Sequence, residues 1–342
     1  MKVLTCYTVF ALVGIIVASP TTKDIKLVVT KDVYFDDSVK YRGEHEIVNI
    51  LVPLNSLNFK ESTSSESESQ EEDSATILFF VEADIQSDGT RVDQGLYVLK
   101  DGKAKKILKH GRDAAASSDD SKLAFFGAQD GLYVYNDTTN SADKYGPITD
   151  SIIAIAKEKE GDAIYILTED HEVYKISNNG ETKVKLDDVV NAKEIVLDYS
   201  DNLYFVGDDN KPYVRTADGV KEVGGLPHDL SDVKLIKPPF ILDKSVPFVV
   251  GNKIYILHSN GTSEVSDIEF KSIAKPSAYA PEGTLVQYYA TNKVIYELNI
   301  LKLMTDADAS FSNYLNSKAS EIRTLASKTK FEAARTKANP KA

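Results

Sequence analysis

Apolar positions along most of this chain fall in short runs rich in Val, Ile, Tyr and Phe, and acidic or Asx-Gly stretches cut the runs. Such residues suit pleated strands. An Asx-Gly pair suits a type I′ hairpin turn, whose two central residues need φ > 0. The runs also recur in a fixed order: apolar strand, acidic turn, apolar-aromatic strand, short turn, Tyr-containing strand, Asx-Gly turn, last strand. The clearest copy spans 194–199, 202–207, 211–216 and 220–224, with Asp218-Gly219 at its last turn. The copy before it spans 152–156, 163–168, 172–177 and 182–186, with Asn179-Gly180.

The second-strand positions Ile77, Leu123, Ile164, Leu203, Phe248 and Leu285 lie 46, 41, 39, 45 and 37 residues apart. Four strands in about 40 residues is the size of a propeller blade. The spacing therefore predicts an all-β chain, a six-bladed β-propeller of four-stranded antiparallel blades, over residues 20–304. Seven blades follow if residues 25–60 make one of their own. The sixth copy lacks a fourth strand, because the pattern after Ile300 turns helical. An unassigned strand at 26–35 is the predicted N-terminal strand that closes the last blade. Innermost strands are then predicted at 47–52, 113–117, 152–156, 194–198, 239–242 and 277–280.

Three segments stand outside the repeat. Residues 1–19 combine a basic start, an apolar stretch from Val3 to Val17 and small residues before Pro20, the order of a cleaved secretory signal peptide. Residues 60–74 (KESTSSESESQEEDS) are charged and nearly free of apolar side chains, which predicts a disordered loop. Within it Ser64 and Ser69 each precede an acid by two positions, a phosphorylation context. Residues 305–342 read as a C-terminal helix with Phe311, Leu315, Ile322 and Leu325 on one face, then a basic tail.

Composition narrows the function classes. The single cysteine, Cys6, falls in the signal segment, so the mature chain is expected to lack disulfides, Cys-ligated zinc and Cys catalysis. A net charge of −12 disfavours nucleic acid, whose phosphates need clustered Lys and Arg. Sequons at Asn136 and Asn260 are candidate glycosylation sites. The expected product is a secreted monomer without stable membrane insertion.

Catalytic signatures are missing. There is no phosphate-binding glycine loop and no G-x-S-x-G elbow. The five histidines are dispersed, so no metal site and no cofactor is predicted. A calcium-dependent lactonase or arylesterase-like hydrolase is one alternative, with Glu46, Asn49, Glu194 and Asp198 as oxygen donors on inner strands. Asp198, however, reads more naturally as the cap of the turn through Asp201-Asn202. A secreted matrix-associated phosphoprotein is the other alternative, with the Ser/Glu loop as its working part.

Propeller pockets are lined where inner strands begin. His45, Arg112, Lys193, Lys237 and Lys275 each precede or start a predicted inner strand, a cationic ring suited to a carboxylated ligand. Tyr279 and Tyr289 add aromatic surface for stacking.

Residues 123–148 (LAFFGAQDGLYVYNDTTNSADKYGPI) and 203–223 (LYFVGDDNKPYVRTADGVKEV) resemble the repeats of the lepidopteran ommochrome-binding proteins. The likeness rests on a strand-Gly-x-x-Asp-Gly-Leu-Tyr unit (Gly127 to Tyr133) and on Lys211-Pro212-Tyr213-Val214 with Asp218-Gly219, and it extends over about residues 75–300. It implies a haemolymph carrier of tryptophan-derived pigments. Such pigments are planar and carry carboxylates, which a cationic, aromatic-lined pocket would suit. The expected function is therefore binding, without catalysis, of a small acidic aromatic metabolite of the ommochrome or kynurenine kind.

Overall fold

The computed structural model describes residues 27–58, 76–159, 161–284 and 286–299. The signal segment at 1–19, the acidic stretch with Ser64 and Ser69, and the segment at 305–342 lie outside the described residues. The described chain is a ring of six blades, each with four strands in antiparallel order from axis to rim. Blade one comprises Glu46–Leu51, Leu78–Ile85, Arg91–Lys100 and Lys103–Leu108. Blade two comprises Gly111–Ala116, Ala124–Ala128, Gly131–Asn136 and Ser141–Lys144. Blade three comprises Ile152–Lys157, Ile164–Thr168, Val173–Ser177 and Thr182–Lys185. Blade four comprises Glu194–Leu197, Leu203–Val206, Pro212–Thr216 and Gly219–Glu222. Blade five comprises Val233–Leu235, Ser245–Val250, Lys253–His258 and Ser263–Phe270. Blade six takes Ala278–Ala280, Val286–Thr291 and Val294–Asn299 from the end of the repeat.

Strand pairing reveals what makes the copies equivalent. Each third strand carries one tyrosine in the same register: Tyr97, Tyr133, Tyr174, Tyr213, Tyr255 and Tyr296. Opposite them on the second strands stand Phe80, Phe126, Ile166, Phe205, Phe248 and Tyr289. Large cross-strand pairs of this kind stabilise a sheet beyond the area they bury. Two of them stack, Phe80 on Tyr97 at 5.1 Å and Phe205 on Tyr213 at 5.2 Å. In three blades a fourth-strand lysine covers the tyrosine ring, closest for Lys183 over Tyr174 at 4.0 Å.

The apolar core lies between blades. Phe79 of blade one meets Phe126 and Tyr135 of blade two at 5.0 and 4.8 Å. Phe125 and Leu132 of blade two pack with Ile155 and Ile166 of blade three. Between blades five and six, Tyr279 stands edge-on to Phe270 at 6.0 Å. Each sheet thus buries both faces only because it has two neighbours.

The ring closes with an N-terminal strand, but a different one from that expected. Strand β1 (Leu27–Val29) falls within the predicted 26–35 and adds to blade five, parallel to its outer strand. The chain then breaks into two 3-10 turns, Lys31–Val33 and Asp36–Ser38. Strand β2 (Val39–Arg42) completes blade six, antiparallel to Val294–Asn299. Proximity explains the substitution. Only Gly43, Glu44 and His45 separate β2 from the inner strand of blade one, so β2 alone is held beside the seam. Tyr41 ties the two blades, its ring 4.7 Å from Phe80 and its hydroxyl donating to Glu82.

The fifth inner strand also differs. It runs Val233–Leu235, and the predicted 239–242 is irregular backbone. Pro238 and Pro239 lack the N–H a ladder requires, so pairing stops after Ile236 donates to the Pro247 carbonyl.

Candidate ligand cavity on the propeller axis

All six inner strands run the same way, so the ring has a leading face where they start and a trailing face where they end. The pairing register places Asn49, Asp113, Ala154, Glu194, Lys234 and Ala278 at one level of the ring, each two ladder pairings from the residue before its blade's third-strand tyrosine. Inner strands of blades one, two and three carry a β-bulge at or just before this level. Asp113 is 5% exposed and accepts from its neighbour Ala114 N, from Ile155 N of blade three at 2.8 Å, and from Asn49 Nδ2 of blade one. Glu194 repeats the device two blades on, accepting Leu235 N of blade five at 2.7 Å and pairing with Lys234 at 3.0 Å. An acid on one inner strand thus satisfies an amide of the next, where an unpaired donor would cost about 1–3 kcal/mol.

Lys237 follows the short fifth inner strand and crosses the axis. Its Nζ lies 3.4 Å from Asp113 Oδ1 and donates to the Ala114 carbonyl, both on the opposite blade. Beyond this tie, a cavity of ≈ 80 Å³ opens among the trailing ends of the inner strands, and every blade contributes to it. Leu51, Ala115, Ile155 and Val196 supply apolar wall. Its polar lining includes Ser117 and Ser118 of blade two beside Lys157, Lys159, Lys237, Asp198, Tyr199 and Glu282.

These polar groups differ in how far the protein satisfies them. Asp198 accepts from Ser200 N and Asn202 N, both at 2.9 Å, and so caps the turn as its sequence context implies. Burial pushes its carboxyl upward against those hydrogen bonds. Lys157 donates to the carbonyls of Glu158 and Gly161, both at 2.9 Å, and burial lowers its ammonium. Lys159 has its backbone N–H on Asp201, which leaves the side chain to the cavity wall.

Glu282 is the exception. It sits in the turn Pro281–Glu282–Gly283–Thr284, closed by Thr284 N donating to the Pro281 carbonyl at 2.8 Å. The residue is 5% exposed, and neither carboxylate oxygen has a hydrogen-bond partner among the described residues. Burial pushes its carboxyl up to about 7, although Lys237 and the amides of Glu282 and Val52 pull the other way. Those amides act through space without reaching bonding geometry. Tyr199 and Tyr289 are close enough to feel the charge.

The residues singled out in the sequence separate into three groups. His45, Arg112, Lys193 and Lys275 are at the leading face, away from this cavity, and each already has partners. His45 pairs with Asp84 at 2.9 Å and Lys275 with Asp232 at 2.7 Å. Arg112 binds Asp93 at 2.6 Å and Ser151 at 2.9 Å, and Lys193 donates to the Asp208 carbonyl and Asn210. Lys237 alone of the expected ring lines the cavity, since the true inner strand ends before it rather than beginning after it. Tyr279 and Tyr289 are buried 6.0 Å apart, edge to face, within blade six. Both sequons sit on hairpin turns; Asn260 is exposed, whereas Asn136 Nδ2 donates to Asp143. Lys157, Lys159, Tyr199 and Glu282 were not singled out. Their signal is a charged or aromatic residue just after an inner strand, the end opposite to the one searched.

Among the described residues no group of three or more His, Cys, Asp or Glu is placed to hold a metal ion. No described helix is long and apolar enough to cross a membrane. Of the donors considered for calcium, Asn49, Glu194 and Asp198 are each committed to different protein partners.

No family model and no curated protein matches the chain. Among solved structures it is similar to PorZ, a surface component of the type-IX secretion system of Porphyromonas gingivalis, at 13% identity and a TM-score of 0.45. That likeness covers 66% of this chain, and the chain spans 29% of the PorZ chain. It is also similar to virginiamycin B lyase from Staphylococcus aureus, at 14% identity and a TM-score of 0.47, over 76% of this chain and 97% of the lyase. Neither likeness carries information on activity or ligand.

Proposed function

We propose that this chain is a secreted carrier that binds a small acidic aromatic metabolite, of the ommochrome or kynurenine kind, in the axial cavity at the trailing face. The observation that supports this reading is the cavity itself: six blades converge on it, and its wall combines apolar side chains, Tyr199 and three lysines. Lysines at the edge of an apolar pocket attract a carboxylate, and the apolar rim favours a planar ring system. The pigment class comes from the resemblance at 123–148 and 203–223. With the cavity at the face opposite the expected cationic ring, this reading puts the ligand beside Lys159 rather than His45, Arg112, Lys193 and Lys275.

Absorbance of the protein purified from its native fluid, followed by titration of xanthommatin into stripped protein, tests the reading. The expected result is saturation near one ligand per chain, weakened roughly tenfold by Lys159→Ala, about 1.4 kcal/mol. Arg112→Ala, at the other face, leaves binding unchanged. Loss of binding with Arg112→Ala and not with Lys159→Ala returns the site to the leading face. No chromophore and no saturation overturns the carrier reading.

A further inference from the structure

We infer that the axial cavity takes the head group of an α-amino acid, with the ligand's ammonium on Glu282 and its carboxylate on Lys159 of blade three. The inference rests on the cavity being the binding site, and it specifies which part of the ligand enters.

Three observations carry it. First, Glu282 lines the cavity, is 5% exposed and has two carboxylate oxygens without a hydrogen-bond partner among the described residues. Buried acids in proteins are paired or hydrogen-bonded, because an isolated buried charge is costly. An orphaned carboxyl in a residue that lines a cavity is therefore completed by what the cavity binds. Lys237 does not complete it, since its ammonium is held by Asp113 and the Ala114 carbonyl. Tyr199 and Tyr289 are phenols kept neutral by burial. The group that fits best is a donor that also brings positive charge, which lets the carboxyl ionise.

Second, the complementary charge stands across the ring. Blade six, which carries Glu282, is opposite blade three, which carries Lys157 and Lys159 in the same lining. A ligand with an amine and a carboxylate on one carbon matches that polarity; a plain acid leaves Glu282 unsatisfied, and a plain amine offers nothing to Lys159, since Lys157 already donates to the Glu158 and Gly161 carbonyls. Third, the volume is small. A water needs about 10–15 Å³ on this scale, so ≈ 80 Å³ holds on the order of five heavy atoms, the nitrogen, two carbons and two oxygens of an amino-acid head. Any ring system then remains at the mouth, against the apolar rim.

The test is calorimetric titration at pH 7 with three probes: L-kynurenine, N-acetyl-L-kynurenine and kynuramine, which lacks the carboxylate. Wild-type protein, Glu282→Gln and Lys159→Ala are compared. Glu282→Gln breaks no internal hydrogen bond and keeps the side-chain shape, so the variant folds. Wild type is expected to bind L-kynurenine at least tenfold more tightly than either analogue. Glu282→Gln should lose that preference over the acetylated probe, and Lys159→Ala should lose it over kynuramine. Equal wild-type affinity for L-kynurenine and its acetyl derivative, or a preference that persists in Glu282→Gln, overturns the inference. If xanthommatin binds at the trailing face while no probe does, the carrier stands and the head-group assignment falls. If neither xanthommatin nor any probe binds, both fall.

Discussion

Lys237 on blade five reaches Asp113 on blade two across the propeller axis, with Nζ 3.4 Å from Oδ1. The contact closes a set of donors around one carboxylate that also includes Asn49, Ala114 N and Ile155 N. Asp113→Ala removes the common acceptor of Ala114 N, Ile155 N and Asn49 Nδ2 and leaves Lys237 only the Ala114 carbonyl. Its expected cost is about 3 kcal/mol in urea unfolding. Lys237→Met keeps three donors on Asp113 and is expected to cost about 1 kcal/mol. A stability within roughly 0.5 kcal/mol of wild type for Asp113→Ala would remove the axial tie from the account of what holds the ring.

Glu282 makes stability depend on pH in a calculable direction. Its folded-state value is about 7, above the ordinary 4.5, so the folded state keeps a proton that the unfolded state releases. The resulting stabilisation is complete below pH 4.5 and is lost as pH rises through 7. Over that window wild type should lose on the order of 3 kcal/mol relative to Glu282→Gln, at 1.36 kcal/mol per pH unit. Urea midpoints of both proteins between pH 4.5 and 8 measure the difference; parallel curves would show that Glu282 does not titrate there.

The closing strand can be removed in two steps. A chain starting at residue 30 loses β1 and the buried Val29, at an expected cost of about 2 kcal/mol. A chain starting at residue 44 also loses β2 and Tyr41. It bares the edge at Val294–Tyr296, so it should unfold at a far lower temperature and self-associate through that edge. Thermal melts with light scattering separate the two. Equal behaviour would deny β2 its role at the seam.

Gly131 starts the third strand of blade two at φ 130°, and a Cβ there would lie 2.1 Å from the Ile148 carbonyl oxygen. Gly131→Ala is expected to cost more than about 3 kcal/mol, from strain and from displaced backbone. Gly89, at φ 84° in open space, is the control, with an expected cost of about 1 kcal/mol. Equilibrium unfolding of the pair checks whether the close approach, rather than the left-handed backbone alone, sets the cost.

The blades were legible because each repeats a tyrosine strand and four of the six add an Asx-Gly turn after it, signals that local chemistry writes into the chain. The real common register is that of Tyr97 through Tyr296, which the apolar positions Ile77 to Leu285 follow only loosely. The fifth inner strand was hidden by the apolar run around Ile236, Phe240 and Leu242, which reads as a strand until the prolines within it are counted against the ladder. The cavity at the trailing ends of the inner strands was not legible at all. Cations precede the inner strands in plain sight, but their partners, Asp84, Asp93 and Asp232, come from distant or intervening segments that only folding brings near. Glu282 looked like an ordinary turn residue, because its isolation depends on what six separate blades fail to offer it.

The trailing face that holds the cavity is also where the 58–76 junction and the chain beyond Asn299 join the ring, because a first strand ends and a third strand ends on that side. The leading face carries the hairpins between second and third strands, among them the exposed turn at 86–90. Orientation on a sensor surface follows from this asymmetry. A thiol introduced by Ser87→Cys on the leading face turns the cavity away from the support, toward the analyte stream.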